Sequence, residues 1–454
     1  MSKKIESMSR TMKDSGIPWI GEIPEGWRQS RMKNYFHLHG RIGWNGLRSE
    51  EFEEQSYAYL VTGQDFCSKN IDWNKCYQIN KERYDEDEYI QLVEGDILVT
   101  KDGTIGKIAV VSNLDKPACL NSGIFVVKQY DPKQFNPGYL YWLLVSPLLK
   151  TFNEFLNLGG TTIIHLYQNV FERMPIVAPP SSEQHLIAAF LDKKCSEIDS
   201  LIELQEQMIE ELKTYKQSVI TEAVTKGIRN EELGVRNYKD SGIEWIGDVP
   251  EEWEVCRIKN VASLFGRIGF RGYTSDDLNK DGEGAITLSP SNMLPMGMDY
   301  TNVTYLSWMK YHESPEIMIQ NGDILMVKTG SSYGKVSYVD NLPKEATINP
   351  QILRIVAKIN SKYLGYYLQT PLFIYQVEGG VVGGTIPTIS QEKINNFFVV
   401  IPPLAEQQAI ADYLDKKCGE IDELITIKQQ KIESLKEYKK SVIYEYVTGK
   451  REVE

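Results

Sequence analysis

Two kinds of hydrophobic patterning follow one another along the chain, and the pair occurs twice. In the first kind, short apolar runs are closed by turn signals. Asp96-Ile-Leu-Val-Thr100 ends at Asp102-Gly103, Lys107-Ile-Ala-Val-Val111 ends at Ser112-Asn113, and Ile124-Phe-Val-Val127 follows Asn121-Ser-Gly123. Runs of this length bounded by Gly, Asn and Asp predict strands joined by tight turns. A helix is predicted over Gly138 to Phe155, with a counterpart over Ser361 to Tyr375. The second kind is long and unbroken, with no Gly or Pro from Ser182 to Thr225. Ile198, Leu201, Met208, Leu212, Tyr215 and Val219 fall on a 3-4 spacing, and Ile421, Leu424, Leu435, Tyr438 and Val442 hold the matching places near the C-terminus. This spacing predicts a coiled-coil-like seam, interrupted at Gln205, Lys428 and Lys431, where polar residues set register at some cost in stability. Pro179-Pro180 and Pro402-Pro403 mark where the helices begin, and Glu183 and Glu406 lie in first turns, where the helix dipole favours an acid.

The recurrence extends to residue identity. Lys13-Asp-Ser-Gly-Ile-Pro-Trp-Ile-Gly-Glu-Ile-Pro-Glu-Gly-Trp27 returns as Lys239-Asp-Ser-Gly-Ile-Glu-Trp-Ile-Gly-Asp-Val-Pro-Glu-Glu-Trp253, with eleven of fifteen positions identical. Gly40-Arg-Ile-Gly43 returns at Gly266 to Gly269, and Gly95-Asp-Ile-Leu98 at Gly322 to Leu325. Pro179 to Ile202 returns at Pro402 to Ile425, with sixteen of twenty-four identical. A unit of half the chain is far longer than a solenoid repeat, so this is a duplicated domain with a helical tail. The middles, roughly 44–94 and 270–321, match poorly. Divergent interiors on a shared frame fit two readers with separate targets.

The expected fold is therefore α+β: two mixed domains over 13–180 and 239–403, with spacer helices over 181–226 and 404–450. Chain order carries the first helix from domain one to domain two. If the seams pair antiparallel, the second returns, which predicts a pseudo-two-fold dumbbell nearly circular in space.

Composition narrows the class. Hydrophobic residues are 42% and charged residues 25% of 454, a foldable soluble mixture. No stretch approaches the ~18 apolar residues of a membrane helix, and the N-terminus lacks the apolar core of a signal peptide. A cytoplasmic protein is expected. Cys67, Cys76, Cys119, Cys195, Cys256 and Cys418 form no CxxC pair, so neither zinc nor a disulfide framework is indicated. Net charge is −12, which counts against a simple basic DNA-binding module. No HExxH, nucleophile elbow or Gly-rich cofactor loop is present. The Pro-Pro pairs, Ala178-Pro-Pro-Ser181 and Ile401-Pro-Pro-Leu404, lack the flanks of an amino-methyltransferase motif.

The Trp-Ile-Gly-x-x-Pro-x-x-Trp opening, the Gly-Asp-Ile-Leu strand and its Gly-x-Ile-Gly-Lys loop, the Gly-Gly-Thr segment and the Pro-Pro-x-x-Glu-Gln helix together resemble the specificity subunits of bacterial type I restriction–modification systems, over residues 13–450. In the second half the loop departs to Lys328-Thr-Gly-Ser-Ser-Tyr-Gly-Lys335, one residue longer. The resemblance implies two target-recognition domains, each reading half of a split sequence in double-stranded DNA, in a chain that is not itself catalytic. It also implies helices that dock two methyltransferase subunits, which recruit restriction–translocase subunits. S-adenosylmethionine, ATP and Mg would then belong to those partners, and this chain would bind no cofactor or metal. Two other readings are an acidic scaffold or DNA mimic, suggested by the charge, and a bifunctional DNA-modifying enzyme, for which the repeat leaves no residues.

Candidate DNA-binding residues follow the Gly-rich turns. Lys101, Thr104 and Lys107, with Lys328, Ser331, Tyr333 and Lys335, flank turns after a strand, where lysines and backbone amides hold phosphates. A nucleotide P-loop is excluded, because Gly103 and Gly106 are too close and Ile108 follows the lysine. The bland alternative is a hairpin with solvated lysines. Arg41, Trp44 and Arg48, with Arg267, Phe270 and Arg271, place arginine beside an aromatic, suited to a guanine edge and a thymine methyl; surface arginine beside a core aromatic is the alternative. Thr161, Thr162 and His165, with Thr385 and Thr388, follow Gly-Gly pairs and either meet DNA or end a strand. His37-x-His39 has no third ligand nearby and reads as a strand face, while Glu50 to Glu54 and Asp85 to Glu88 read as solvated surface.

Overall fold

A computed structural model describes residues 10–41, 47–131, 133–156, 165–228, 236–267, 269–279, 282–381 and 387–453. The side chains of Ser49, Asn153, Leu156 and Phe270 are outside that description. Two compact units result, one made of the chain up to Gln205 together with the segment from Gln430, the other running from Glu206 to Gln429.

In unit one the predicted strands join a four-stranded antiparallel sheet in the order 108–110, 97–100, 124–129, 36–39. Strand Ile97–Thr100 is buried throughout because both faces of this sheet are covered. Ile97, Val99, Phe125 and Val127 point to one core with Trp27, Tyr139 and Leu143, whereas Leu98, Ile124 and Val126 point to another with Ala58, Leu60 and Cys119. The second core lies under a small sheet in which Ala118–Leu120 pairs parallel with Ala58–Val61, which pairs antiparallel with Tyr77–Ile79.

Unit two repeats this plan. Its central sheet runs 262–266, 352–357, 324–327, 336–338, again antiparallel. Its small sheet is larger by one strand, ordered 278–279, 304–306, 285–288, 346–348, and keeps the parallel pair. The units differ mainly in the region where the two halves of the sequence diverge.

The single helix expected after the sheet is two helices in each unit. They span Pro137–Val145 and Pro147–Leu156, then Ser361–Tyr367 and Pro371–Gly380. Pro147 and Pro371 cause the break, since a residue before proline is driven from the helical to the extended region. Ser146 has ψ 162° and Thr370 ψ 154°.

Both long helices form, Ser181–Lys226 and Leu404–Val447. In unit one they run antiparallel, with the Phe190 ring 4.3 Å from Tyr446 and Lys439 Nζ 2.6 Å from Asp199. In unit two they are again antiparallel, with Lys216 Nζ 2.7 Å from Asp422 and Lys428 Nζ donating to Met208 Sδ at 3.4 Å. The predicted seam holds in part: Ile198, Met208, Leu212, Val219, Ile421, Leu435 and Val442 are buried or half-buried, while Lys431 is exposed. Cys195, Ile198, Ile202, Gln205, Ile209, Leu212, Lys216 and Val219 are buried or half-buried on a strict 3-4 alternation, with Met208 half-buried beside it. Cys418, Ile421, Ile425, Lys428, Ile432, Leu435, Lys439 and Val442 repeat it 223 residues later. Leu201, Tyr215, Leu424 and Tyr438 are corrected to the outer face, with Leu201 48% and Tyr215 53% exposed. A 3-4 repeat has two phases. Buried Cys195 lies three residues before Ile198, so the next step is four, to Ile202.

The first helix stops at Gly227, whose φ of +83° suits a residue without Cβ at a helix C-terminus. In unit one the opening segment meets the end of the second long helix: Tyr444 Oη donates to the Trp19 carbonyl at 3.0 Å, and Lys450 Nζ to the Ile20 carbonyl at 2.7 Å.

Candidate nucleic-acid interface

The frame that carries the loops is locked identically in both units. In unit one, fully buried Trp27 donates from Nε1 to Glu183 at 2.9 Å, and Arg10 both pairs with Glu183 at 2.6 Å and lies over the Trp27 ring. In unit two, Trp253, Glu406 and Arg236 repeat this at 2.8 and 2.6 Å. Each glutamate thus does more than face a helix dipole. It anchors the helix start to the opening segment through a half-buried, charge-assisted bond. The single Tyr139 hydroxyl proton is shared between the carbonyls of Val177 and Val447, and that of Tyr363 between those of Val400 and Val224. Burial raises both phenols well above the usual tyrosine range. Gln184 and Gln407 each accept from the N-cap asparagine amide, Asn136 or Asn360, and donate to a Pro carbonyl. Sequence reasoning missed these contacts. The signal was available, because Arg10 and Arg236 stand at the same offset before Lys13 and Lys239.

On this frame the Gly-rich turns gather several predicted residues. In unit one, Thr100 Oγ1 donates to the Thr104 carbonyl at 2.5 Å and accepts from the Lys107 amide at 3.0 Å, closing the loop over Lys101. Asp102 bonds His165, whose ring lies 4.6 Å from Tyr167. Lys101, Thr104, Lys107 and His165 therefore share one loop cluster. In unit two, Thr329 bridges to Thr388 and the Gly330 amide donates to Pro387, so threonines stand where unit one has an Asp–His pair. Ser331 is exposed, Tyr333 packs on the core and Lys335 Nζ donates to the Pro290 carbonyl.

The expectation that Arg41 and Arg267 touch DNA does not survive, because both are buried, at 2% and 6% exposure. Arg41 Nε donates to the Leu120 carbonyl at 3.0 Å and Nη2 meets Cys119 Sγ at 3.4 Å. Arg267 donates to the Ile348 carbonyl and, at 3.1 Å, to Thr347 Oγ1. Both guanidiniums tie the small sheet to the end of the central sheet. Arg48 is exposed on a separate turn, and Arg271 pairs with Glu316 at 3.4 Å. Trp44, Thr161, Thr162 and Thr385, with the side chain of Phe270, lie outside the described residues.

His37 and His39 share a strand face, with rings 4.7 Å apart and Tyr130 and Tyr89 beside them. Burial, above all, holds both imidazoles below the usual histidine range. Among the described residues no three His, Cys, Asp or Glu side chains group as a metal site. The six cysteines are free thiols. No described helix is long and apolar enough to cross a membrane.

Duplicated mixed domains on long helices, with loop clusters at equivalent places, define a two-module recognition subunit. Residues 24–214 and 250–437 match the type I restriction modification DNA specificity domain, and the chain belongs to that family. The putative type I restriction enzyme MjaX specificity subunit of Methanocaldococcus jannaschii is 26% identical, with 95% of both chains covered. The MjaVIII specificity subunit of the same organism is 27% identical over 94% of this chain and 93% of that one. A chain from a structural study of complex assembly and conformational transition in a type I R-M system superposes with a TM-score of 0.71 at 17% identity, covering 94% of this chain and 99% of the other. The HsdS subunit of Thermoanaerobacter tengcongensis gives 0.53 at 16% identity, over 94% and 98%. These likenesses place the chain among specificity subunits, with two target-recognition domains and no catalytic role of its own.

Proposed function

We propose that each unit reads one half of a split double-stranded DNA sequence, and that each also docks one methyltransferase subunit, through which restriction subunits join. One observation carries the first part. The units agree down to single hydrogen bonds in their frame, yet differ in the small sheet and in the loop residues that face solvent. A fixed frame with variable tips gives two half-sequences read independently. The loop clusters of Lys101, Thr104, Lys107 and His165 and of Lys328, Ser331 and Thr388 supply contacts, with Arg48 and Arg271 as further candidates. Docking in two copies is supported by the outer faces of the helices. Exposed Leu201 and Leu204 in unit one return as Leu424 and Ile427 in unit two, and exposed Tyr438 as Tyr215. Such apolar side chains repeated on a solvent face suit one partner bound twice. S-adenosylmethionine, ATP and Mg belong to the partners, and the complex acts in the cytoplasm, where the DNA is.

The test is to sequence the methylated sites of the host with and without this gene, beside gel shifts on genomic DNA with and without the neighbouring methyltransferase. Loss of one split methylated motif on deletion, and sequence-dependent binding, is the expected result. Competition with DNA for the methyltransferase, without DNA binding, would show an acidic mimic instead.

A further inference from the structure

Lys101 and Lys328 sit in the same small socket in the two units. The Lys101 amide donates to the Gly123 carbonyl at 2.9 Å, and its own carbonyl accepts from Leu166 at 3.1 Å. The Lys328 amide donates to Gln351 at 2.8 Å, and its carbonyl accepts from Ile389 at 2.9 Å. Two backbone bonds therefore fix where each side chain starts. At the far end each ammonium lies against a glycine, Gly40 or Gly266. A Cβ on Gly40 would lie 3.3 Å from Lys101 Nζ and 2.9 Å from the Ile124 carbonyl. A Cβ on Gly266 would lie 3.2 Å from Lys328 Nζ and 3.2 Å from Leu353 Cδ1. The apolar wall is the Phe125 ring, 4.8 Å from Lys101 Nζ, replaced by Leu353 in unit two.

These ammoniums are half-buried, and burial lowers the pKa of each amine. Nothing opposes it at Lys328, and at Lys101 only the weaker pull of Asp102, itself bonded to His165, does so. Among the described residues neither ammonium has a hydrogen-bond or ion-pair partner. The chain continuing from Gly40 and Gly266, and the chain leading to Leu166 and Pro387, offers no acid: residues 42–46, 157–164, 268 and 382–386 contain no Asp or Glu. A partly desolvated cation without an anion is unfavourable unless an anion arrives from outside. That it is kept twice, in halves that diverge elsewhere, sets it apart from the variable loops.

We propose that Lys101 and Lys328 are equivalent anchors, each holding one DNA backbone phosphate through its ammonium, so that both units are set on the duplex in the same way whatever bases they read. The proposal rests on the DNA-reading function above and assigns these lysines to affinity and positioning, apart from base choice. The glycines at 40 and 266 are what leave room for the ammonium.

The test uses the full chain, alone and with its methyltransferase, against a pool of random-sequence duplexes over a range of salt. Lys101→Met and Lys328→Met, which keep the length and apolar stem, should each weaken binding about tenfold and flatten the log affinity against log salt slope by about 0.9 per lost phosphate contact. Their melting temperatures should hold or rise, because a half-buried charge has been removed, and the methylated motif should stay the same. Unchanged affinity and slope in both variants would overturn the anchor while leaving the DNA-reading function intact. A melting temperature that falls with the affinity would overturn it too, by making the lysines packing residues. A changed motif would make them base readers, against the proposal. Wild-type chain that binds no DNA in either form would overturn the DNA-reading function and the anchor together.

Discussion

Arg41 and Arg267 show how position decides what an arginine does. Each follows a glycine at the end of an edge strand, a placement that suits a groove contact in sequence. In the fold, each turns its guanidinium under the small sheet, onto the Leu120 or Ile348 carbonyl. A planar fork that is always charged suits this, because it satisfies carbonyls that would otherwise be buried unpaired. Arg41→Ala should therefore cost stability, about 2 kcal/mol from the lost charged hydrogen bonds and the orphaned carbonyl, and Arg267→Ala a similar amount. Urea unfolding followed by near-ultraviolet circular dichroism measures this. A variant as stable as wild type but deficient in DNA binding would return these arginines to the interface. The lysines two strands over, at 101 and 328, are the opposite case, since among the described residues their half-buried ammoniums have no hydrogen-bond or ion-pair partner.

At the level of elements, the long helices depend on a seam that is one-quarter polar. Gln205, Lys216, Lys428 and Lys439 hold seam positions, and two of the lysines reach sideways to Asp422 and Asp199. Long lysine stems cover apolar surface while the ammonium leaves the seam, so the alternation persists through them. The energy nevertheless sits in the aliphatic layers. Ile209→Ala and Ile432→Ala, each 6% exposed, should cost about 2–4 kcal/mol. Removing Lys216 and Asp422 singly and together should give a coupling below about 1 kcal/mol, since that pair is partly solvated. Leu201→Ala and Leu424→Ala should leave the melting temperature near that of wild type and weaken methyltransferase assembly in a pull-down. Thermal unfolding that ranks Leu201 with Ile209 would mean the seam phase is wrong.

For the molecule as a whole, the relevant property is that its halves are replaceable. Within unit two, Glu254 pairs with Ile401 and Arg257 with Phe398, so a cut on either side of 254–401 removes a complete ladder rather than splitting one. The Trp253–Glu406–Arg236 lock stays behind to receive the replacement. Replacing 254–401 with the matching segment of another specificity subunit should change one half of the methylated motif and leave the other intact, as read by sequencing of methylated sites. A change in both halves would show that the units do not read independently.

Much of this fold was legible before any coordinates, because its strongest signals are local or repetitive. Turn residues closing apolar runs placed Ile97–Thr100, Ile108–Val110 and Ile124–Gln129, and Gly- and Pro-free stretches placed both long helices. The internal repeat defined a duplicated frame with divergent middles, since identity at a constant shift needs no three-dimensional knowledge. The proline break at Ser146-Pro147 is an equally local signal. What tertiary structure alone decided are matters of direction and partnership. The 3-4 spacing allowed two phases, and only the burial of Cys195 and Cys418 selected one, leaving Leu201 and Leu424 outside. The sequence put arginine and lysine into the same Gly-rich neighbourhood, and only the packing of the small sheet against the central one separated Arg41, which is satisfied inside, from Lys101, whose ammonium has no hydrogen-bond or ion-pair partner among the described residues. Side-chain identity sets what a residue can bond, whereas its reach to a carbonyl seventy-nine residues away depends on how strands from different parts of the chain come to lie side by side.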